Sequence, residues 1–163
     1  MNDLGIKTVM LDTSFCIRLM DDTEALHTNA IDYYRYFLQE KITMHISTIA
    51  VAEYAVGDDP QNLPLNTLQI EAFDFLDAKE AGNFHKFLKG TQANIEGYNR
   101  RIIVNDLKIF SQLKTKKIDA IISADVDSIR KYINPLTAAA ILNIKFLDLN
   151  LKLKDVRGLL FNL

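Results

Sequence analysis

Four acidic side chains, Asp12, Glu53, Asp106 and Asp125, lie where the local sequence pattern would place other residue types. Carboxylate oxygens are the ligands that hard divalent cations such as Mg²⁺ and Mn²⁺ prefer. The three histidines and the single cysteine show no spacing suited to zinc. If the fold brings the four carboxylates together, the chemistry that they favour is that of a Mg²⁺ or Mn²⁺ site.

Two of these acids follow predicted strands. Asp12 comes directly after KTVML (7–11), and Asp125 follows DAIIS (119–123) with one residue between them. Ligands of parallel α/β sheets bind outside the carboxyl ends of the strands, so both side chains are expected in one crevice. A strand-end turn or a cap on the next helix remains the alternative for either residue alone.

The other two acids lie in predicted helices with apolar surroundings. Asp106 falls inside the apolar stripe of a helix predicted over 97–117, and IAVAEYAV offers Glu53 no polar face. Burying an unpaired carboxylate is costly, so each acid needs a cation, a proton or a water-filled cleft. A buried ion pair with Arg or Lys is the alternative for each, but a shared Mg²⁺ or Mn²⁺ site explains all four acids together.

Strand and helix patterns alternate along the chain and would position these acids. The predicted strands are 7–11, 41–46, 67–73, 119–123 and 144–149, and the predicted helices are 23–40, 48–56 with Ser47 as cap, 77–90, 97–117 and 127–133, the last ending before Pro135. This alternation predicts an α/β protein, a three-layer α/β/α sandwich with a mainly parallel sheet, in a single domain over 1–163.

Composition and charge narrow the classes of function. A net charge of −2 predicts no general attraction to nucleic acid, so any such binding requires a local basic patch. Arg100, Arg101 and Lys108 would supply one beside Asp106, as phosphate-binding residues. The lone Cys16 fits a buried position in a reducing compartment. With no signal peptide and no apolar run long enough to cross a bilayer, the sequence predicts a cytoplasmic protein without membrane contact.

Four segments in order resemble the PIN-domain ribonucleases, particularly the VapC-like toxins of type II toxin–antitoxin pairs. They are LDTSF around Asp12, STIAVAEY around Glu53, NDLKIF around Asp106 and IISADVDSI around Asp125. The resemblance implies a PIN-like fold and metal-dependent cleavage of an RNA substrate, with these four acids as catalytic residues and as ligands of Mg²⁺ or Mn²⁺.

The same resemblance implies roles for neighbouring residues and for partners. Ser14 and Ser123 match small hydroxyl residues that support the acids by hydrogen bonds. Asp127 is either a further ligand through water or the N-cap of the helix that follows it. A homodimer and inhibition by an antitoxin protein, with an Arg or Lys in the acidic cleft, are also implied.

Two other classes of protein stay open at this stage. Receiver or phosphotransfer domains also place acids at the ends of parallel strands, but LDTSF lacks a second Asp two residues on, and no Lys follows a late strand. A catalytically silent PIN-like module for protein binding would be expected to have lost an acid, whereas all four are present. No Ser-His-Asp order, Cys-His order or glycine-rich phosphate loop points to another enzyme class.

Overall fold

A parallel five-stranded sheet forms the centre of the molecule in the computed structural model, which describes residues 2–91 and 103–161. The strands lie in the order β3-β2-β1-β4-β5, and every neighbouring pair is parallel. Their bounds are β1 Thr8–Leu11, β2 Thr43–Ser47, β3 Leu68–Glu71, β4 Ala120–Ser123 and β5 Lys145–Asp148.

Helices connect the strands and cover the sheet. In the described ranges they are α1 Thr13–Met20, α2 His27–Gln39, α3 Thr48–Tyr54, α4 Phe75–Thr91, α5 Asn105–Thr115, α6 Val126–Ser128, α7 Asn134–Ala138 and α8 Leu153–Phe161. A π-helical turn, Ile129–Ile133, joins α6 to α7, and two short 3₁₀ turns, Pro60–Asn62 and Leu65–Thr67, lie between α3 and β3.

The helices form two groups on opposite faces of the sheet. Right-handed crossovers place the helices between β1 and β3 on one face and those between β3 and β5 on the other. Accordingly α2 packs against α1 and α8, whereas α4 packs against α5 and α7. The predicted three-layer α/β/α sandwich with a parallel sheet is therefore confirmed.

The central strand is apolar because it is covered from every side. Val9, Met10 and Leu11 of β1 are fully buried, and Val9 is in register with Met44 on one side and Ala120 on the other. A parallel strand with helices on both faces has no solvent side, so it needs no polar alternation. β1 therefore places the residue that follows it, Asp12, at the middle of the carboxyl edge.

The structure corrects the predicted helices at four places. Helices α1 and α8 were not predicted, and α5 begins only at Asn105, after an extended Val104. Residues 97–102 of the helix predicted over 97–117 lie outside the described residues.

The predicted helix end before Pro135 is also wrong. The helical segment continues through Pro135 because this residue falls in the first turn of α7, where a missing N–H and a fixed φ are tolerated.

The sheet order excludes the receiver-domain alternative. Flavodoxin-like receiver domains have the strand order 2-1-3-4-5, which differs from the order found here. Of the helices that the structure describes, none combines the length and the apolar character needed to span a bilayer.

Candidate active site

Asp12 stands at the centre of the carboxyl edge, between the end of β1 and the start of α1. It occupies the N-cap position of α1, with φ −73° and ψ 158°, yet its side chain makes no capping hydrogen bond. Its Oδ2 instead accepts hydrogen bonds of 2.7 Å from both Ser14 Oγ and Ser123 Oγ. The carboxylate therefore does not cap the helix backbone and is held between Ser14, in the first turn of α1, and Ser123, at the end of β4.

The backbone at the end of β4 orients these two serines. Ser14 Oγ accepts from the Ala124 N–H at 3.0 Å, and Ser123 Oγ accepts from the Asp125 N–H at 3.0 Å. Because each hydroxyl already accepts from an N–H group, its own proton is free to point at Asp12. Among the described residues, no side chain or N–H group donates to the second oxygen, Oδ1 of Asp12.

Glu53 reaches the same edge from α3, which follows β2. Ser47 caps this helix by accepting from the Ile49 N–H at 3.1 Å, as predicted. Glu53 Oε2 accepts from Thr13 Oγ1 at 2.6 Å, and Oε1 accepts from Asn105 Nδ2 at 3.0 Å. The two hydroxyl residues after Asp12 thus serve different carboxylates, Ser14 that of Asp12 and Thr13 that of Glu53.

Asp106 and Asp125 meet at one hydroxyl. Ser128 Oγ lies 2.6 Å from Asp106 Oδ2 and 2.8 Å from Asp125 Oδ2. A hydroxyl carries a single proton, so it cannot donate fully to both carboxylates at once. Asp125 Oδ1 also accepts from the Ser128 N–H at 3.0 Å, which makes Asp125 the N-cap of α6 as well as a member of the site.

The electrostatics of Asp106 show that all four acids share one region. Burial raises the pKa of Asp106 first, the Ser128 hydrogen bond lowers it, and the charges of Asp12, Asp125 and Glu53 raise it further, with a net rise. The carboxylates of Asp12, Asp125 and Glu53 therefore all lie within electrostatic reach of Asp106. Within residues 2–91 and 103–161, no three His, Cys, Asp or Glu side chains are already arranged around a common ion position.

The exposures of the four acids differ from the predicted picture. Asp106 and Glu53 are half-buried rather than enclosed, Asp12 is also half-buried, and Asp125 is exposed. The exposed Asp127 is not the N-cap of its helix, because Asp125 takes that position.

Of the predicted basic patch, only Lys108 can be placed. Its Nζ donates to Asn105 Oδ1 at 3.3 Å, next to Glu53. Arg100 and Arg101 lie outside the described residues.

Three residues of this arrangement were missed by the sequence reading: Thr13, Asn105 and Ser128. Each stands close in sequence to one of the predicted acids, and each has a short polar side chain. The available signal was therefore a polar residue one to three positions from an acid, which is too common in helix starts to be specific.

Cys16 lies directly beneath this site in α1. It is 1% exposed, and burial followed by the charge of Asp12 raises the pKa of its thiol to about 12. The predicted role as a small buried apolar residue is confirmed, and the thiol stays protonated near neutral pH.

A fifth carboxylate, Asp77 of α4, is the most deeply buried acid in the described chain, with no exposed surface. It accepts hydrogen bonds from Thr115 Oγ1 and from the Asp74 N–H, and its Oδ2 lies 3.4 Å from Lys116 Nζ. Gln112 Nε2 lies 3.4 Å from the same oxygen. This acid joins α4 to the end of α5, so its role is structural.

Comparisons with known proteins support the fold. Neither a scan of protein-family models nor a search of curated proteins found a match. Solved structures do match, although at low identity. A chain of VapBC2 from Rickettsia felis, bound to a DNA fragment from its promoter, is 21% identical with a TM-score of 0.58, covering 86% of this chain and 99% of that one.

Two further structures have the same architecture. A chain of VapBC-1 from nontypeable Haemophilus influenzae is 17% identical with a TM-score of 0.57, covering 88% of this chain and 99% of that one. A chain of FitAcB from Neisseria gonorrhoeae is 13% identical with a TM-score of 0.60, covering 86% and 97%. This chain therefore has the PIN-like fold seen in these structures.

Proposed function

We propose that this chain is a VapC-like ribonuclease that uses Mg²⁺ or Mn²⁺ to hydrolyse RNA phosphodiester bonds at Asp12, Glu53, Asp106 and Asp125. The observation that carries the proposal is the convergence of these four carboxylates at the carboxyl edge of a PIN-like fold. Like charges gathered at the mouth of a crevice repel one another, so a protein keeps them together at a cost in stability. A cation offsets that cost.

The donor atoms present fit a hard divalent cation. All four acids offer oxygen, and the neighbouring groups are hydroxyls and an amide, with no thiolate or imidazole in the arrangement. Oδ1 of Asp12 and Oδ1 of Asp106 receive no hydrogen bond from a described side chain, so both remain available as ligands. To hold an ion, the carboxylates would have to turn toward a common point.

The protein groups around the acids prepare them for phosphodiester hydrolysis. When bound, the cation would lower the pKa of a water molecule and stabilise charge on the phosphate oxygens. Ser14 and Ser123 fix the direction of the Asp12 carboxylate, and Thr13 with Asn105 fixes that of Glu53. Lys108, held by Asn105, brings one positive charge to the rim where an RNA phosphate would approach.

The first prediction is cleavage of single-stranded RNA in Mn²⁺ or Mg²⁺, and none in EDTA. Asp12→Asn, purified in parallel, should reduce the rate by at least about a hundredfold, because it removes a ligand needed for electrostatic stabilisation. Glu40→Gln is the matched control, since it removes an exposed carboxylate just before β2, at the opposite end of the sheet. A catalytically silent PIN-like module would instead leave RNA intact in every metal.

A groove beside the site supports an antitoxin partner. It lies between α1 and α3, has a volume of about 620 Å³, and is bordered by Glu53 itself. Exposed apolar side chains line it, with Met20 39% and Val56 89% exposed, and Asp21, Asp22 and Asp58 add negative charge. This combination suits an amphipathic basic segment of a protein, with its Arg or Lys directed toward the four acids.

A homodimer is the other proposed assembly. No strand of the described part of the chain pairs with the outer side of the edge strand β3, and apolar residues near it are exposed, with Ile70 at 54% and Phe75 at 80%. An open edge with apolar side chains favours association.

Both assemblies can be tested with the protein encoded by a neighbouring gene, produced together with this chain. We expect light scattering to show a dimer of the chain alone, and a complex with the neighbour that no longer cleaves RNA. Val56→Lys should weaken the complex, because it adds positive charge to an acidic groove, whereas Leu38→Lys on α2 should not. A monomer at high micromolar concentration, with no inhibition by the neighbour, would contradict both assemblies.

A further inference from the structure

A second cleft, on the face opposite α4 and α5, has the charge that the acidic site lacks. This cleft lies between α2 and α8 and has a volume of about 510 Å³. Its lining includes four cationic side chains and one carboxylate: Arg35, Lys152, Lys154, Arg157 and Asp32. We refer to it as the α2–α8 cleft.

Three of these cations have no side-chain partner among residues 2–91 and 103–161. The fourth, Arg157, already has partners, since it forms an ion pair with Asp3 and lies 5.5 Å from the centre of the Tyr36 ring. Arg35, Lys152 and Lys154 are exposed, and no hydrogen bond or ion pair joins their side chains to another described residue. Asp32, although it lines the same cleft, pairs with none of them.

Other lysines of the chain do form ion pairs within the protein. Lys114 Nζ lies 2.5 Å from Glu80 Oε1, and Lys116 Nζ lies 2.5 Å from Asp74 Oδ2. The α2–α8 cleft therefore gathers positive charge that no described residue neutralises by an ion pair, in a protein whose net charge is −2.

A short loop connects the α2–α8 cleft to the acidic site. Asn150 Nδ2 donates to Ala124 O at 3.1 Å, next to Asp125, and Asn29 of the cleft donates to Leu149 O at 3.0 Å. Only one residue separates Asn150 from Lys152, so their Cα atoms lie at most about 7 Å apart. An extended strand that leaves the acids past Ala124 would reach Lys152 next.

We propose that the α2–α8 cleft binds phosphates of the single-stranded RNA that flanks the cleaved bond, an inference that rests on the proposed ribonuclease activity. The four acids repel the RNA backbone, so affinity has to come from cations placed outside them. Salt-dependent contacts to phosphates supply most sequence-independent affinity for nucleic acid. Arg35, Lys152 and Lys154 hold the flank, while the acids act on the bond.

The test is RNA binding in EDTA, where cleavage is off. Fluorescence anisotropy would compare the wild type with the triple variant Arg35→Gln, Lys152→Gln, Lys154→Gln on a single-stranded RNA of about 20 nucleotides. We expect the Kd to rise at least about tenfold, and the slope of log K against log salt to fall by about 2, at about 0.7 per lost contact on a single strand. The matched control is Lys79→Gln, Lys86→Gln, Lys89→Gln on α4, with the same charge change.

Cleavage assays in Mn²⁺ distinguish a failure of this inference from a failure of the proposed ribonuclease activity on which it rests. The triple variant should cleave a long RNA more slowly but cleave a trinucleotide at the wild-type rate, because a trinucleotide does not reach the α2–α8 cleft. If the α4 control weakened RNA binding as much as the triple variant, the proposal that the α2–α8 cleft binds RNA would be overturned, but the proposed ribonuclease activity would not. Tighter binding of duplex DNA than of RNA through the same residues would have the same consequence. A wild-type protein that cleaves no RNA would overturn both proposals.

Discussion

Replacing Asp106 by Asn should abolish RNA cleavage and, in EDTA, raise the free energy of unfolding by about 1 kcal/mol. Asn keeps the shape of the side chain and can still accept the hydrogen bond from Ser128. It removes one of four like charges, and with it the two effects that raise the pKa of Asp106, which are burial first and repulsion by the other three acids second. For a domain of this size, the melting temperature should rise by roughly 2–4 °C.

In added Mn²⁺, the wild type should become more stable than the Asp106→Asn variant. A ligand that binds only the folded state stabilises it according to its affinity, so the wild type should gain more than the variant, which has lost a ligand. Thermal melts of both proteins in EDTA and in Mn²⁺ measure this difference. An apo variant several kcal/mol less stable than the wild type would instead mean that Asp106 belongs to a buried ion pair.

The pH dependence in EDTA follows from the direction of the same shift. Because the pKa of Asp106 in the folded protein lies above its ordinary value, the folded state holds this proton more tightly than the unfolded chain does. Its contribution to stability is complete below the ordinary pKa and is lost as the pH rises through the raised one. The Asp106→Asn variant should not show this loss of stability as the pH rises.

The same substitution at Asp77 should have the opposite effect. Asp77→Asn should lower the free energy of unfolding by about 3 kcal/mol, because it removes a fully buried charge that pairs with Lys116 and accepts from Thr115. The melting temperature should fall by roughly 6–12 °C. RNA cleavage at a temperature where the variant remains folded should be unchanged, since Asp77 is not part of the acidic site.

Denaturant unfolding followed by circular dichroism would measure both free energies under one condition. Asp74→Asn is a suitable control for Asp77→Asn, because Asp74 also contacts Lys116 but is exposed. Exposed ion pairs contribute little to stability, so the loss of this one should have a small effect. An Asp77→Asn variant as stable as the wild type would show that α4 and α5 hold together without this charge.

These two acids also show where sequence reasoning succeeds and where it stops. Periodicity placed Asp106 in an apolar stripe, and the cost of burying a carboxylate then required a partner for it. In the structure, Asp106 accepts a hydrogen bond from Ser128. The same arguments did not mark Asp77, because at the start of a helix an Asp is an ordinary capping residue. The partner of Asp77 is Lys116, which lies 39 positions away in the chain and is brought near only by the packing of α4 on α5.

The sheet was predictable because its strands are short apolar runs with clear ends. All five predicted strands exist, and their alternation with helices determined the layer order. Helix α1 was missed because Thr13, Ser14 and Arg18 interrupt the apolar pattern, and its buried face consists of only Phe15, Cys16 and Leu19. Two of those interrupting residues, Thr13 and Ser14, donate hydrogen bonds to Glu53 and Asp12, so the residues of the proposed site weakened the helical signal.

The hydrogen bonds that hold the four acids have a consequence for biosynthesis. Ser123 supports Asp12 across 111 positions, Thr13 supports Glu53 across 40, and Ser128 supports Asp106 across 22. A ribosome must therefore pass Ser128, and the exit tunnel must release β4, before the arrangement can form. A nascent chain with the proposed activity would remain harmless to the messenger that encodes it, and to the translating ribosome, until most of the protein had been made.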